Sequence, residues 1–356
     1  MNKKLFINFH DLIGLEISSH RERFLSYFAS EYEHYLSKGL GKDIPRVGLR
    51  IESRDYPFND AVEFTSQIHK VLARWKYHVK VQDGLINIRA GTNFIGLSMI
   101  HHMLVHPSVR YLSAKQRVLM LHAGAVCLKE NSVLITGPGG TGKTTTTSLL
   151  LSQSGADYFI HADDYVFVDH LHSLSYMTRS HLYHDILNWV PEISSRLTMK
   201  EKVKLKIFGL LREWSSGGLK WPTRISANRL WPKKKLCNQG EIRGLVFLSK
   251  EESIEKPQLV QVQDMDRIRN AILNMNFSEA EHFINLLEKD HSVRDINEWL
   301  EEWRSLEEHL LKRLLDDVPL FQLRLPTQGG FSSKYKDLVV EKFERLIKST
   351  GSSDVS

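Results

Sequence analysis

Runs of apolar residues, and the polar residues that break them, set out most of the chain's elements. Val118 to Leu128 is a long apolar run carrying one histidine, His122. Lys129-Glu130-Asn131 can turn it into a second run, Ser132 to Thr136, so the two read as a hairpin. Phe159 to Val168 reads as a buried strand interrupted by two adjacent carboxylates, Asp163 and Asp164. Gly244 to Leu248 and Leu320 to Pro326 add two further strands. Upstream the pieces are shorter: Leu5 to Ile13 is a strand-like opening, Glu31 to Leu40 is partly helical, and Val47 to Glu52 is a strand. Tyr77 to Val81 and Leu85 to Ile88 pair across Asp83-Gly84, Tyr56 to Asp60 is a turn, and Ile95 to Leu104 begins an apolar connection. Near the C-terminus, Trp299, Trp303, Leu306, Leu310 and Leu314 recur every three or four residues, the spacing of one buried helical stripe. Asp316-Asp317 ends that helix before Pro319. Gly329-Gly330 leads to a terminal helix, and Gly351 to Ser356 reads as a mobile tail.

The hairpin runs straight into Gly137-Pro138-Gly139-Gly140-Thr141-Gly142-Lys143-Thr144, which completes the G-x-x-x-x-G-K-[ST] pattern. Glycines at 137, 139, 140 and 142 let backbone N–H groups turn toward a phosphate, Thr141 sits among them, and Lys143 can reach the β- and γ-phosphates. Thr144 can place its hydroxyl on Mg²⁺, while Thr145 continues into a helix whose positive end faces the anion. Strand, glycine turn and helix occur in the required order, so ATP with Mg²⁺ is the expected ligand pair.

Asp163 lies twenty residues beyond Lys143. Neighbouring side chains on an extended strand face opposite ways, so the two carboxylates cannot share one task. Asp163 is the expected contact for Mg²⁺ or for the attacking hydroxyl, with Asp164 bracing the strand end. His122, on the strand before the phosphate loop, can hydrogen-bond a carboxylate if the fold brings it near either one.

These residues, Leu121-His122-Ala123, the loop Gly137 to Thr144, and Ala162-Asp163-Asp164, resemble the HPr kinase/phosphorylase family and its relatives, including kinases of ribosomally made peptide precursors. The resemblance is best from Val118 to Val168 and looser from Glu241 to Pro326. It implies an α/β fold with a P-loop core like that of phosphoenolpyruvate carboxykinase, transfer to a serine-type hydroxyl, and His122 assisting the aspartate pair. The chain departs from the dedicated HPr enzymes where their loop continues Lys-Ser-Glu and this one reads Lys143-Thr144-Thr145. It also lacks their glycine- and asparagine-containing segment after the aspartates, which speaks against phosphorolysis but not against kinase chemistry. The expected division is an N-terminal mixed α/β accessory domain, residues 1–110, and a nucleotide-binding catalytic domain, residues 111–350.

Charge adds a candidate acceptor site. Residues 200–243 hold twelve Lys/Arg against three Asp/Glu, a local +9 in a chain of net +6. Lys200, Lys202, Lys204 and Lys206 alternate with Val203, Leu205 and Ile207, and Trp214, Trp221 and Trp231 punctuate a loop-rich continuation. Lys233, Lys234 and Lys235 are the candidate acceptor-binding residues, suited to an anionic peptide, protein or metabolite. Nucleotide-gated nucleic-acid binding would use the same patch, but it leaves His122 and the Asp pair without a task. Transfer to a peptide or protein hydroxyl is therefore the leading reading, and a small-molecule kinase acting on an anionic or phosphorylated metabolite is the alternative. Two cysteines give no disulfide framework. No secretory signal pattern and no 18-residue apolar span is present, so a cytoplasmic enzyme is expected. His101, His102 and His106 lack a convincing ligand pattern and read as helix or loop histidines.

Overall fold

The computed structural model describes residues 2–58, 64–69, 72–153, 157–215, 221–327 and 333–348. The sequence signals at Asn59-Asp60, Gly329-Gly330 and the tail from Gly351 fall outside these residues. The chain forms two compact units: residues 1–120 with 276–310, and residues 121–275 with 311–356. Residues 276–310, which the linear reading places with the catalytic domain, thus cluster with the N-terminal unit.

The first unit opens with β1 (Lys3–Phe9), β2 (Ile13–Ser19), α1 (Glu22–Glu31), β3 (Leu36–Ser37) and β4 (Arg46–Ser53). It continues through β5 (Thr65–His69), β6 (Ala73–Gln82), β7 (Leu85–Thr92), α2 (Gly96–Ile100), a π-helical turn over His101–Val105, and α3 (His106–Lys115). The strands form a seven-stranded mixed sheet, order β3-β1-β2-β4-β7-β6-β5. Alternation puts Ile13, Leu15, Ile17, Val47, Leu49, Ile51, Ile86 and Ile88 into the core. The β6–β7 hairpin turns at Asp83-Gly84, where Gly84 takes the positive φ that a two-residue turn requires. The opening strand expected from Leu5 to Ile13 stops at Phe9: His10 and Asp11 adopt left-handed backbone and send the chain back as β2, which begins at Ile13. The helix expected near Glu31 to Leu40 lies one segment earlier, because Phe24, Leu25 and Phe28 supply its buried face. Tyr32 and Tyr35 pack their rings on Phe9 instead. His101 bonds the Tyr32 hydroxyl through Nε2 at 2.7 Å, inside this aromatic cluster.

The second unit takes up β8 (Leu119–Leu121), which straddles its boundary, then β9 (Ala123–Leu128), β10 (Asn131–Thr136), α4 (Lys143–Leu151), β11 (Tyr158–Ala162), β12 (Val166–Asp169), β13 (His172–Leu174) and β14 (Ser180–Leu182). Next come α5 (Ile186–Trp189), α6 (Glu192–Arg196), α7 (Met199–Trp214), β15 (Thr223–Ile225), α8 (Ala227–Leu230), β16 (Gln239–Glu251) and β17 (Gln258–Gln261). Two long helices, α9 (Met265–Lys289) and α10 (Ile296–Asp317), each contain a unit boundary, and β18 (Leu320–Pro326) and α11 (Ser333–Lys348) complete the fold. The main sheet is nine-stranded, order β11-β9-β10-β16-β13-β12-β8, with β18 pairing β16 and β17 pairing β18. β10 is antiparallel to β9 and parallel to β16, so the phosphate loop leaves the sheet from an interior strand. The expected run from Val118 to Leu128 is two strands, broken at His122. The lysine alternation at 200–206 lies on α7. A capping box at Thr198 and Glu201 starts α7, with Glu201 N donating to Thr198 Oγ1 at 3.3 Å and Thr198 N to Glu201 Oε2 at 2.9 Å.

In the first unit the tryptophan stripe of α10 does more than fill space. Trp303 is fully buried, but the next position inward is Glu307, while Leu306 is only half-buried. Glu307 takes both ends of the buried Arg110 guanidinium: Nε at 2.7 Å and Nη2 in a second, closer contact. Trp303 Nε1 also donates to Glu307 at 2.7 Å. Arg110 lies over the Phe277 and Trp303 rings, 4.9 and 5.0 Å from their centroids, so the charge is paired and enclosed by aromatic faces.

Candidate active site

The phosphate loop is shaped by three left-handed glycines, Gly137, Gly140 and Gly142, with φ of 144°, 82° and 110°. At Gly137 a side chain is excluded twice over, since a Cβ would also meet the Leu248 carbonyl oxygen at 2.5 Å. Gly142 is the N-cap of α4, so the orphan amides of that helix begin in the loop. Pro138, Gly139 and Gly140 are exposed, and no atom lies within 4 Å of a Cβ built at Gly139 or Gly140. Lys143 is buried and folds back along the loop, its Nζ donating to Gly137 O at 2.7 Å. Thr141 Oγ1 closes the turn on Pro138 O at 2.7 Å. Thr144 and Thr145 are half-buried at the start of α4. This arrangement fits a polyphosphate: backbone amides, a helix N-terminus and one amine share a glycine-lined concavity.

The two carboxylates stand at the break between β11 and β12. Asp163 is buried; its Oδ2 accepts from His181 N at 3.2 Å, and the Thr144 hydroxyl hydrogen-bonds to it. Burial pushes Asp163 up to about 7, helped by the charge of Asp164 and opposed by the His181 amide, Thr144 and Lys143. Asp164 keeps about a third of its side chain exposed and meets His122 Nε2 at 3.1 Å. Burial alone would raise Asp164, but His122, then His181 and Lys143, outweigh it and hold the group well below the usual carboxylate range. One aspartate is thus biased toward the neutral form and its neighbour toward the charged form.

His122 owes its position to the break between β8 and β9. Its carbonyl accepts from Thr136 Oγ1 at 2.8 Å, which ties it to the end of the phosphate-loop strand, and its ring stacks on Tyr165 at 5.2 Å. Gly124, two residues on, admits the close approach of α4 and the Asp163 backbone. A Cβ there would meet Thr147 Cγ2 at 2.9 Å and Asp163 O at 3.2 Å.

Sequence reading missed a third group of polar residues. His181 and Arg224 face each other across the two-stranded β14–β15 sheet, and Arg179 Nη2 donates to Arg224 O at 2.8 Å. Burial and the two arginines push His181 down to about 4, so it stands neutral beside the aspartates at pH 7. The signal was present as Arg179-Ser180-His181 shortly after the Asp pair, and only strand pairing with Arg224 links it to the basic segment. Next to β14, Tyr183, Asp185, Leu205, Phe208, Arg212 and Trp221 line an open cavity of about 320 Å³. Burial raises Tyr183, and the charge of Asp164 raises it further, which places the cavity wall within electrostatic reach of that carboxylate.

Of the lysines at 233–235, Lys235 is tied by its backbone to β11, its carbonyl accepting from Ile160 N at 3.0 Å, three residues before Asp163. No described helix is long and apolar enough to cross a membrane. No protein-family model matches the chain, and no curated protein matches it. Among solved structures it is similar to the Hpr(Ser) kinase/phosphatase from Coxiella burnetii at 12% identity, covering 64% of this chain and 90% of that one, with a TM-score of 0.28.

Proposed function

We propose that the chain is an ATP-dependent kinase that transfers the γ-phosphoryl group to a serine-type hydroxyl of a peptide or protein. The observation that carries this reading is the pairing of tasks at the end of β11: Asp163 with the P-loop hydroxyl of Thr144, and Asp164 with His122. Hard oxygen donors on Thr144 and Asp163 suit Mg²⁺, which when bound neutralises charge on the transferring phosphoryl oxygens. Lys143 and the loop amides hold the β- and γ-phosphates. Asp164, ionised and partly exposed, orients the acceptor hydroxyl and takes its proton, while His122 fixes the carboxylate's direction. That exchanges part of the work the sequence suggests for Asp163, because Asp163 is the more enclosed of the two and favours its neutral form. His181, Arg179 and Arg224 add donors beside the reacting oxygens, a resource for the loose transition state of phosphoryl transfer.

The exposed side of α7 supports a peptide acceptor: Met199, Val203, Ile207, Leu210 and Trp214 all face solvent at helical spacing beside the basic residues. Lys233 to Lys235 extend the positive field that would attract an anionic acceptor. A second reading, a small anionic metabolite as acceptor, is favoured by the size of the cavity at Tyr183 and Arg212. Incubation with γ-labelled ATP and separated peptide and metabolite fractions decides between them. Label in the peptide fraction supports the first reading and label in the metabolite fraction the second. Label in neither, with ATP bound and left intact, removes both.

A further inference from the structure

A second cluster of reactive side chains lies in the same unit, at the β11 bulge two residues before Asp163. Cys127 on β9, His161 on β11 and Cys237 just before β16 bring one ligand atom each to within 4.8 Å of one another. The three come from separate stretches of chain and meet for identifiable reasons. Pairing of β11 with β9 slips between Ile160 and Ala162, leaving His161 as the extra residue, and such a bulge re-aims its side chain. Cys237 is held alongside by backbone hydrogen bonding, its N donating to Ile160 O at 2.8 Å. Gly240 leaves room for the Cys127 sulfur, which a Cβ there would approach to 2.9 Å. Cys127 and His161 are buried and Cys237 is half-buried, so the cluster opens on one side only.

The donor set is selective. Two sulfurs and an imidazole nitrogen, with no carboxylate in the group, suit thiophilic borderline ions and not Mg²⁺ or Ca²⁺. The imidazole is braced in the manner of a metal ligand: Ser173 Oγ lies 2.8 Å from His161 Nε2, Cys237 O lies 2.7 Å from Nδ1, and Ser173 Oγ is itself 2.7 Å from Ser132 Oγ. One ring nitrogen can turn to an ion while the other keeps its polar partner.

We propose that Cys127, His161 and Cys237 form a binding site for one thiophilic divalent cation of the zinc class, separate from the Mg²⁺-nucleotide site. Three protein donors leave the fourth tetrahedral position to solvent on the Cys237 side. Both cysteines bind the ion as thiolates, so binding weakens as pH falls. The ion ties β9, β11 and the segment before β16 together two residues ahead of Asp163, where it holds the bulge that ends β11. The proposal stands on the cluster alone and survives whichever acceptor, if any, the phosphate-loop site uses.

The test uses the reduced, chelator-treated full chain titrated with Co²⁺, a spectroscopic probe for zinc sites. The expected result is one Co²⁺ per chain, with a thiolate-to-cobalt charge-transfer band and tetrahedral ligand-field bands, both abolished by added Zn²⁺. Cys237→Ser, at the half-exposed position, should lower the affinity more than 100-fold and weaken the charge-transfer band while circular dichroism stays native. His161→Gln should lower affinity comparably but keep the charge-transfer band at saturating cobalt, a split that lost packing alone would not produce. Cobalt bound without thiolate charge transfer, or an affinity unchanged in a folded Cys237→Ser variant, overturns the proposal. So does a non-reduced chain lighter by two hydrogens, with Cys127 and Cys237 joined as a disulfide that reduction fails to convert into a cobalt-binding form.

Discussion

Replacing Asp163 with asparagine separates the cost of holding this carboxylate in place from its use in chemistry. The folded carboxyl keeps its proton up to about pH 7, whereas the ordinary value is 3.8. Between those limits the folded state binds more protons than the unfolded chain, so stability falls as pH rises from about 4 to about 7 and then levels off. At about 1.4 kcal/mol per pH unit, ionising Asp163 costs the fold about 4 kcal/mol by pH 8. Asparagine removes that cost but brings an amide donor that needs a partner, returning about 1–2 kcal/mol. The expected outcome is a variant more stable than the parent by about 2–3 kcal/mol at pH 8, or about 5–10 °C in Tm for a domain of this size, with no gain at pH 4. Thermal unfolding of both proteins from pH 4 to 9, with chelator present, reads this directly. The gap should open across pH 4 to 7 and close again for the parent when Mg²⁺ and nucleotide are added at pH 8, since both need the ionised form. Turnover should be lost in the more stable variant. A gap that is flat with pH, or that widens toward acid, would refute the assignment of a neutral, enclosed Asp163.

The other expectations concern the remaining elements. Lys143→Ala should weaken ATP binding in a titration and reduce turnover; unchanged values of both would remove the lysine from the phosphate cradle. His122→Ala should lower kcat by about 100-fold with little change in the KM for ATP, because Asp164 loses its orientation and not the nucleotide its contacts. Arg110→Ala should destabilise the first unit by about 3–5 kcal/mol in urea unfolding, since Glu307 is left charged and buried without its partner. Gln at positions 233, 234 and 235 together should raise acceptor KM and flatten its salt dependence with ATP KM unchanged, and equal salt dependence would make these lysines ordinary surface.

How much of this was legible depends on whether the signal was local. Gly137 to Thr144, the hairpin before it and the interruption at Asp163-Asp164 are short-range patterns, and the fold uses each where the pattern put it. The contact of His122 with Asp164 rather than Asp163 was not legible, because it depends on a break in the sheet that apolar periodicity between Val118 and Leu128 does not reveal. Nor was the β14–β15 pairing that brings His181 and Arg224 together, since three-residue strands carry too little alternation to register. The lysines at 200–206, legible in the sequence only for their charge, sit on α7, which the Thr198–Glu201 capping box starts and strong helix formers sustain. Cys127, His161 and Cys237 are unreadable as a group in sequence, where only the absence of a disulfide framework is evident.

The Arg110–Glu307 pair also sets an order of events during synthesis. Its members are 197 residues apart, so at about 5–20 residues per second the ribosome delivers the glutamate about 10–40 s after the arginine. Through that interval the nascent first unit carries Arg110 on α3 without the glutamate, or the rings of Phe277 and Trp303, that enclose it. A premature stop anywhere between the phosphate loop and Glu307 would therefore cripple the N-terminal unit as well as truncating the catalytic one. A fragment cut at residue 110 or 120 would present a chaperone with the same unfinished surface permanently.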